Sequence, residues 1–244
     1  MAARTTQRPR RPKPAATRGW GRRILGWAIK GLLGFVILSV LWVLVLRFVP
    51  PPVTLTMLGD VPTGHGITKS WRSLSSIDPD MPRAVISAED SRFCDHNGFD
   101  YAAIANAARR NAKGGRIRGG STISQQTAKN VFLWQGGGYF RKAMEAYFTV
   151  LIEALWGKRR IMEVYLNAAE TGIGTYGVEA GAQRYFKHGA AKLSTREAAQ
   201  IAAVLPLPKK RAGIAPTGFT RRYARTIERR IGIVRREGLD RCLN

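Results

Sequence analysis

Residues Arg141–Trp156 read RKAMEAYFTVLIEALW, with apolar side chains at Met144, Phe148, Leu151, Ile152 and Leu155. Steps of three and four are the helical period, so these side chains share one face of a helix. Working outward, Lys158–Ala169 continues as a second helix after Gly157, and Asp80 and Asp100 stand where they can cap helices through Ala88 and over Tyr101–Asn111. Ser194 with Glu197 forms a capping box for a helix that ends before Pro206. Near the C-terminus, Tyr223, Ile227, Ile231 and Val234 make one apolar stripe on an Arg-rich helix stopped at Gly238. Val53–Leu58 is the one clear strand-like stretch. Strand–helix alternation and internal repeats are absent, so the expected class is mostly α.

The 244 residues are 45% hydrophobic, enough for a packed core and unlike a disordered or collagen-like chain. Cys94 and Cys242 make at most one bridge, and neither has a CxxC spacing. Charge is the outlier: 40 basic against 16 acidic residues, a net +24. Nine of the basic residues fall in residues 1–30, where there is no acid, so the remainder is still plainly basic. Such a surplus points to an anionic partner: nucleic acid, anionic lipid or a phosphorylated substrate.

Residues 1–23, rich in Arg, Pro, Thr and Ala, read as a disordered basic tail. From Ile24 the composition changes. Residues 31–46, GLLGFVILSVLWVLVL, carry no charge, and residues 24–49 read as a membrane anchor in which Lys30 snorkels to the headgroups. A buried core helix would show a polar stripe, and this segment has none. After Arg47 no basic residue follows until Lys69, so the positive-inside rule places the N-terminus in the cytoplasm and the rest outside. Pro50-Pro51-Pro52 replaces a cleavage site, and topology accounts for Arg22-Arg23 better than a twin-arginine signal does. Residues 50–80 read as a juxtamembrane linker and the start of the exported domain, and 81–244 as the domain proper.

Glycines 114, 115, 119 and 120 and glycines 136–138 bracket Ser121–Trp134, which reads as a mobile, helix-poor element. Its apolar knot Val131-Phe132-Leu133-Trp134 either dips into a lipid interface or packs in the core. Gly172–Gly177 matches GxGxxG, but a helix precedes it where a dinucleotide site needs a strand. These glycines are expected to shape a turn along a groove.

Three sets of residues carry chemistry. Glu89 and Asp90 follow the apolar turns Ala84, Val85, Ile86 and Ala88, so a carboxylate there lies near the core with a raised pKa, as general acid or base work requires. The bland reading is two solvated acids paired with Arg83 or Arg92. Residues 119–130, GGSTISQQTAKN, offer hydroxyls, amides and one ammonium, a set suited to sugar hydroxyls and phosphate oxygens. Arg141, Lys142 and Glu145 share a helix face, where two cations can hold a diphosphate; the alternative is a surface ion pair worth about 0.3 kcal/mol. Lys158, Glu163 and Asn167 form a fourth, structural set.

In order, Glu89-Asp90, Phe93, His96, Gly98 and Asp100, then Gly119–Asn130 with Ser124 where Thr is usual, then Arg141-Lys142 with Glu145, Lys158 to Asn167, and Gly172 to Glu179 with Tyr185-Phe186, resemble the peptidoglycan glycosyltransferase family in its monofunctional biosynthetic transglycosylase form. The likeness covers about residues 82–208 strongly. It implies a mostly α, lysozyme-like domain behind a single transmembrane helix. The reaction implied joins lipid-linked disaccharide-pentapeptide units (lipid II) into β-1,4 glycan and releases undecaprenyl diphosphate at the bacterial inner membrane, with the domain in the periplasm. Glu89 is then the base and Glu145 supports the donor site. Lys129, Arg141 and Lys142 hold the diphosphate, Asp90 and His96 orient the base, and Phe93, Ser121, Thr122, Gln126 and Asn130 complete the substrate-binding set. No tightly bound cofactor is implied; a divalent cation, Mg or Mn, would travel with the substrate diphosphate. Partners implied are lipid II, the growing lipid-linked strand, the membrane and other cell-wall synthesis or division proteins, not nucleic acid. Neither SxxK nor KTG occurs, so no transpeptidase chemistry is expected. The rivals are a muramidase, which needs no cationic clamp, and a membrane-tethered binder of nucleic acid or anionic lipid, which would bind with a steep salt dependence. In either case the Arg-rich C-terminal helix is a candidate contact for anionic headgroups, or else a solvated face.

Overall fold

The computed structural model describes residues 18–64, 66–112 and 120–244. The expected disorder of residues 1–17 and the glycines 114, 115 and 119 lie outside it. Residues 18–42 form one compact unit and Val43–Asn244 another.

The first unit is the leading part of α1 (Arg18–Phe48). Trp20–Phe48 has a mean hydropathy of 2.5 and is long and apolar enough to cross a membrane. The helix starts six residues before the expected anchor, because Arg18–Arg23 contains no proline and arginine is a good helix former.

In the second unit, the closing turn of α1 is held by side chains of the body. Trp156 Nε1 donates to Val43 O at 2.7 Å, and Arg160 donates to Leu46 O and Val49 O, both at 2.9 Å. Arg160 thereby satisfies carbonyls that a helix end leaves without partners.

Residues 50–80, expected as a juxtamembrane linker and the start of the exported domain, lie in the same unit as residues 81–244. Val53–Leu58, expected as a strand, contains instead the short helix α2 (Leu55–Leu58), because the Thr54 hydroxyl accepts from Met57 N and caps it. The Thr56 hydroxyl donates to Asn130 O and Leu133 O (3.1 and 3.0 Å). The strands are short: β1 (Thr68–Lys69), β2 (Glu170–Gly172) and β3 (Thr175–Tyr176), in the order β1-β3-β2. β2 and β3 are a hairpin whose turn lies in the GxGxxG stretch, as expected for glycines that shape a turn. At Gly177, φ is 85° and a Cβ would lie 2.9 Å from Asn167 O, so only glycine lets β3 run straight into the next helix.

The remaining helices are α3 (Asp80–Glu89), α4 (Tyr101–Ala112), α5 (Ile123–Phe132), α6 (Gly138–Leu155), α7 (Gly157–Ala168), α8 (Val178–Phe186), α9 (Thr195–Val204) and α10 (Gly218–Arg236). The Ser194/Glu197 capping box is present, and Asp100 Oδ1 accepts from Ala103 N at 2.9 Å as a cap for α4. α9 is the central element: its alanines let α3 and α10 close on it, and Ile201 and Val204 are wholly buried. Ile227, Ile231 and Val234 of α10 are buried too, each contributing roughly 1.5–3 kcal/mol over exposure.

Ser121–Trp134 is not helix-poor. Thr122 and Gln125 make a reciprocal capping box, and α5 follows. The flanking glycines and the run of Ser, Thr, Gln and Asn mimic a loop, but burial of Ile123, Ala128 and Val131 against α6 and α7 overrides that composition. The apolar knot is core: Val131 and Leu133 are buried, Phe132 stacks on Phe148 at 4.6 Å, and Trp134 alone of the four is exposed.

Candidate active site

The ends of α3 and α5 meet at a cluster of polar groups. Glu89 closes α3, and its Oε2 accepts from Gln126 Nε2 at 2.9 Å. Gln126 Oε1 in turn accepts from the Tyr165 hydroxyl of α7 at 3.3 Å. The chain Tyr165–Gln126–Glu89 holds the carboxylate with neutral donors. Burial, the largest influence, pushes the Glu89 carboxyl above the usual glutamate range; the neighbouring Asp90 adds to this, while Gln126, Arg211 and Lys129 oppose it. Tyr165 is buried beside Glu89 and is held well above the usual phenol range, so it stays a neutral donor.

Asp90 works differently. Its Oδ2 accepts from Ile123 N at 3.0 Å, at the N-terminus of α5, where a helix favours negative charge. His96 Nε2 lies 2.9 and 3.1 Å from the two oxygens of Asp90, so it carries the proton, and His96 Nδ1 is buried without a partner. The Thr122 hydroxyl donates to Gly98 O at 2.6 Å. Gly98 has φ 90°, and a Cβ there would come within 2.6 Å of Thr149. Phe93 is fully buried, edge-on to His96 and under the Lys158 ammonium at 4.6 Å. Phe93 and Thr122, expected among the substrate contacts, are both buried, and the Thr122 hydroxyl is already engaged with Gly98 O.

On α6, Glu145 is buried and clamped by two cations: Arg141 donates to Oε2 at 2.7 Å and Lys142 to Oε1. Lys142 also reaches the exposed Ser121 hydroxyl at 3.3 Å. Lys129, on α5, connects this cluster with Glu89. It feels the charges of Glu145, Arg141 and Lys142 and acts on Glu89, and burial lowers its pKa below the usual lysine range. Lys158, Glu163 and Asn167 serve the scaffold: Lys158 pairs with Glu153, Glu163 accepts Leu74 N, and Asn167 bridges the backbone N–H and C=O of Arg72.

A cavity of about 510 Å³ opens beside these groups, walled by Gln126, Lys129 and Asn130 on one side and by Asp60, Glu170 and Lys209 on another. Glu89 and Glu145 do not form its wall; Glu89 is joined to it through the hydrogen bond from Gln126. The opposite wall was missed in the sequence. Asp60 pairs with Lys209 at 2.5 Å and accepts from the Tyr176 hydroxyl, a link across 149 residues that no local pattern announces. Glu170, by contrast, stands directly before the glycine hairpin read as edging a groove. Its Oε1 is buried without a hydrogen-bond partner, and burial pushes its carboxyl up to about 7.

Among the described residues no group of three His, Cys, Asp or Glu side chains is placed to hold a metal ion. The carboxylate nearest the cations, Glu145, has both oxygens engaged by Arg141 and Lys142, so these residues do not fit a metal held by the protein.

Comparisons with known proteins give the family. A family model described as Transglycosylase matches residues 56–232. The chain is 52% identical to the biosynthetic peptidoglycan transglycosylase of Caulobacter vibrioides over 201 residues, 82% of this chain and 88% of that protein. It is 49% identical to the one from Rhodospirillum centenum over 213 residues, 87% and 92% of the two chains. It is 46% identical to the one from Xanthomonas axonopodis pv. citri over 224 residues, 89% and 91%. A mostly helical body, a buried glutamate beside a cationic cluster and matches of this extent place the chain in the transglycosylase family, as a glycosyltransferase acting on peptidoglycan precursors.

Proposed function

We propose that the enzyme polymerises lipid II into β-1,4 glycan, with Glu89 as the general base. The observation that carries this reading is a largely desolvated carboxylate that accepts from the neutral amide of Gln126 and feels the cation Lys129, which also feels the Arg141–Lys142–Glu145 cluster. A sugar hydroxyl is a poor nucleophile at neutral pH. Glu89 takes the proton of the acceptor 4-hydroxyl as that oxygen attacks C1 of the donor. The bond from C1 to the diphosphate oxygen breaks on the opposite face, so an α-linked donor becomes a β-linked product in one displacement. Undecaprenyl diphosphate leaves with its charge matched by Lys129, Arg141 and Lys142, which are in place before reaction and need no reorganisation.

Tyr139 and Phe140 are largely exposed and directly precede Arg141 and Lys142. Exposed aromatic residues beside cations suit a donor whose diphosphate sits at a membrane surface. The anchor is α1, with the N-terminus in the cytoplasm and the body on the outer face of the inner membrane, in the periplasm. Two features favour that orientation: the basic residues before the span, and a disulfide between Cys94 and Cys242, a bond that persists in oxidising compartments. The chemistry is glycan polymerisation without transpeptidation.

The test is to incubate the purified full-length protein in detergent with lipid II and, separately, with finished glycan. Polymer and undecaprenyl diphosphate are expected from the first, and no cleavage from the second. Hydrolysis of finished glycan without polymer growth would replace this reading with a muramidase.

A further inference from the structure

The loop that carries Asp90 and His96 is fastened at both ends within the site: Asp90 to Ile123 N and His96, and Gly98 to Thr122. Its middle is fastened elsewhere. Cys94 is covalently bonded to Cys242, Cα to Cα 5.5 Å, and its Sγ accepts from Cys242 N at 3.3 Å. Asp95 pairs with Arg241. These are the side-chain partners of Cys94 and Asp95 among the described residues, and both are supplied by the last four residues of the chain.

That C-terminal segment is itself anchored. After α10 the chain turns at Gly238, φ 61°, and Leu239 N donates back to Val234 O at 3.0 Å. Asp240 accepts from Arg83 of α3 at 2.7 Å, Leu243 O accepts from Arg159 of α7, and the Leu243 side chain is buried in the core. Residues 239–243 therefore hold α3, the loop and α7 at once. α3 bears Glu89 and α7 bears Tyr165, the two ends of the hydrogen-bond chain through Gln126.

We propose that the C-terminal segment 239–243 is a positioning element for the catalytic loop, and that the Cys94–Cys242 disulfide is its lock. Resting on the reading of Glu89 and its loop given above, this assigns to Cys94, Arg241 and Cys242 a role in the reaction without contact with substrate. A closed disulfide pins the loop and keeps the His96–Asp90–Ile123 bonds in register. A dithiol opens the lock: two electrons and two protons convert the bond into two thiols, and the reductant is oxidised to its own disulfide. Arg241–Asp95 alone, largely solvent-exposed, is too weak to replace it.

The experiment compares the oxidised full-length enzyme, the same enzyme reduced with dithiothreitol and then re-oxidised, and the C94S/C242S variant. Two readouts are taken well below each melting temperature: lipid II polymerisation, split into kcat and KM, and hydrogen–deuterium exchange of residues 90–98. On opening the lock, kcat is expected to fall about tenfold with KM for lipid II within twofold, and exchange to rise in residues 90–98 as well as 237–244. Re-oxidation restores both in the wild type and neither in the variant. Exchange that rises only in residues 237–244, or a kcat within twofold of wild type whatever the change in melting temperature, would reduce the disulfide to a staple of the chain end and overturn the proposal. An oxidised enzyme that makes no polymer would count against the function proposed above, while the exchange readout would still decide the coupling of tail and loop.

Discussion

At the end of α3, Glu89 meets the neutral amide of Gln126; two turns into α6, Glu145 meets a guanidinium and an ammonium. Both carboxylates are largely buried, so burial alone does not separate them. What differs is the partner. A buried acid held by an amide keeps a pKa lifted by burial and so a stronger hold on a proton, which is the property a base requires. A buried acid held by two cations instead fixes those cations in space, which is the property an anion site requires. Lys129 lies between the two regions and belongs electrostatically to both.

The largest effect expected is that of Glu89→Gln. General-base catalysis contributes about 10²–10⁴-fold, and a loss of that size in polymerisation rate is the expected outcome. Stability should move the other way. The folded pKa lies above the unfolded one, so the wild type loses stability relative to the variant as pH rises from the ordinary glutamate range through the raised folded value. Thermal melts at pH 4.5 and 8 should show the variant gaining at the higher pH. A variant that keeps more than a tenth of the rate would erase the distinction between the two acids. Next comes Lys129→Met, which removes a fixed charge from the departing diphosphate at an expected cost of about 10²-fold in kcat. Because burial lowers the Lys129 pKa, wild-type activity should also decline with rising pH below the usual lysine range. A pH–rate profile lacking that alkaline limb would take Lys129 out of the site.

Much of this comparison was legible before any coordinates. The apolar turns ahead of Glu89 predicted its burial, and the three- and four-residue spacings of Arg141, Lys142 and Glu145 predicted the clamp. The Thr122–Gln125 capping box was also written in the sequence, but polar composition and flanking glycines hid the helix it starts. Thr54 hid in the same way, making a strand-like stretch into α2. Asp60, Lys209 and the Arg241–Asp95 pair were out of reach for a different reason. They meet across 146 or more residues, a separation that only the tertiary fold closes. Cys94 and Cys242 were visible as the sole possible pair; that they do pair depends on the path of the chain after Gly238.

Glu145→Gln probes the second region itself. It leaves Arg141 and Lys142 without a buried counter-charge, and Lys142, nearly half exposed, can turn to water. A fall of about tenfold in kcat/KM is expected, with a stability loss of about 1 kcal/mol once that exposure is discounted. An unchanged KM for lipid II would mean that the clamp is an ordinary ion pair and that the anion site rests on Lys129.

The smallest effect expected is at a third acid, Glu170, which sharpens the contrast because among the described residues no side chain is hydrogen-bonded to its carboxylate. Among the described residues it forms no ion pair and its Oε1 accepts no hydrogen bond. Burial, with Asp60 adding to it, raises its carboxyl to about 7 against the pull of Lys209, the Gly174 N–H and Lys129. The cleft wall should therefore be near neutral at that point at pH 6 and negative at pH 8, where it repels a diphosphate. The KM for lipid II is expected to rise two- to threefold across that interval in the wild type and to stay flat in Glu170→Gln, with kcat tracking Glu89 in both. The same ionisation should make the variant the more stable protein at pH 8, by about 1 kcal/mol after allowance for a half-exposed group, and equal to wild type below the ordinary glutamate range. If the KM inflection persists in Glu170→Gln, the titrating group lies elsewhere and this acid plays no part in admitting the diphosphate.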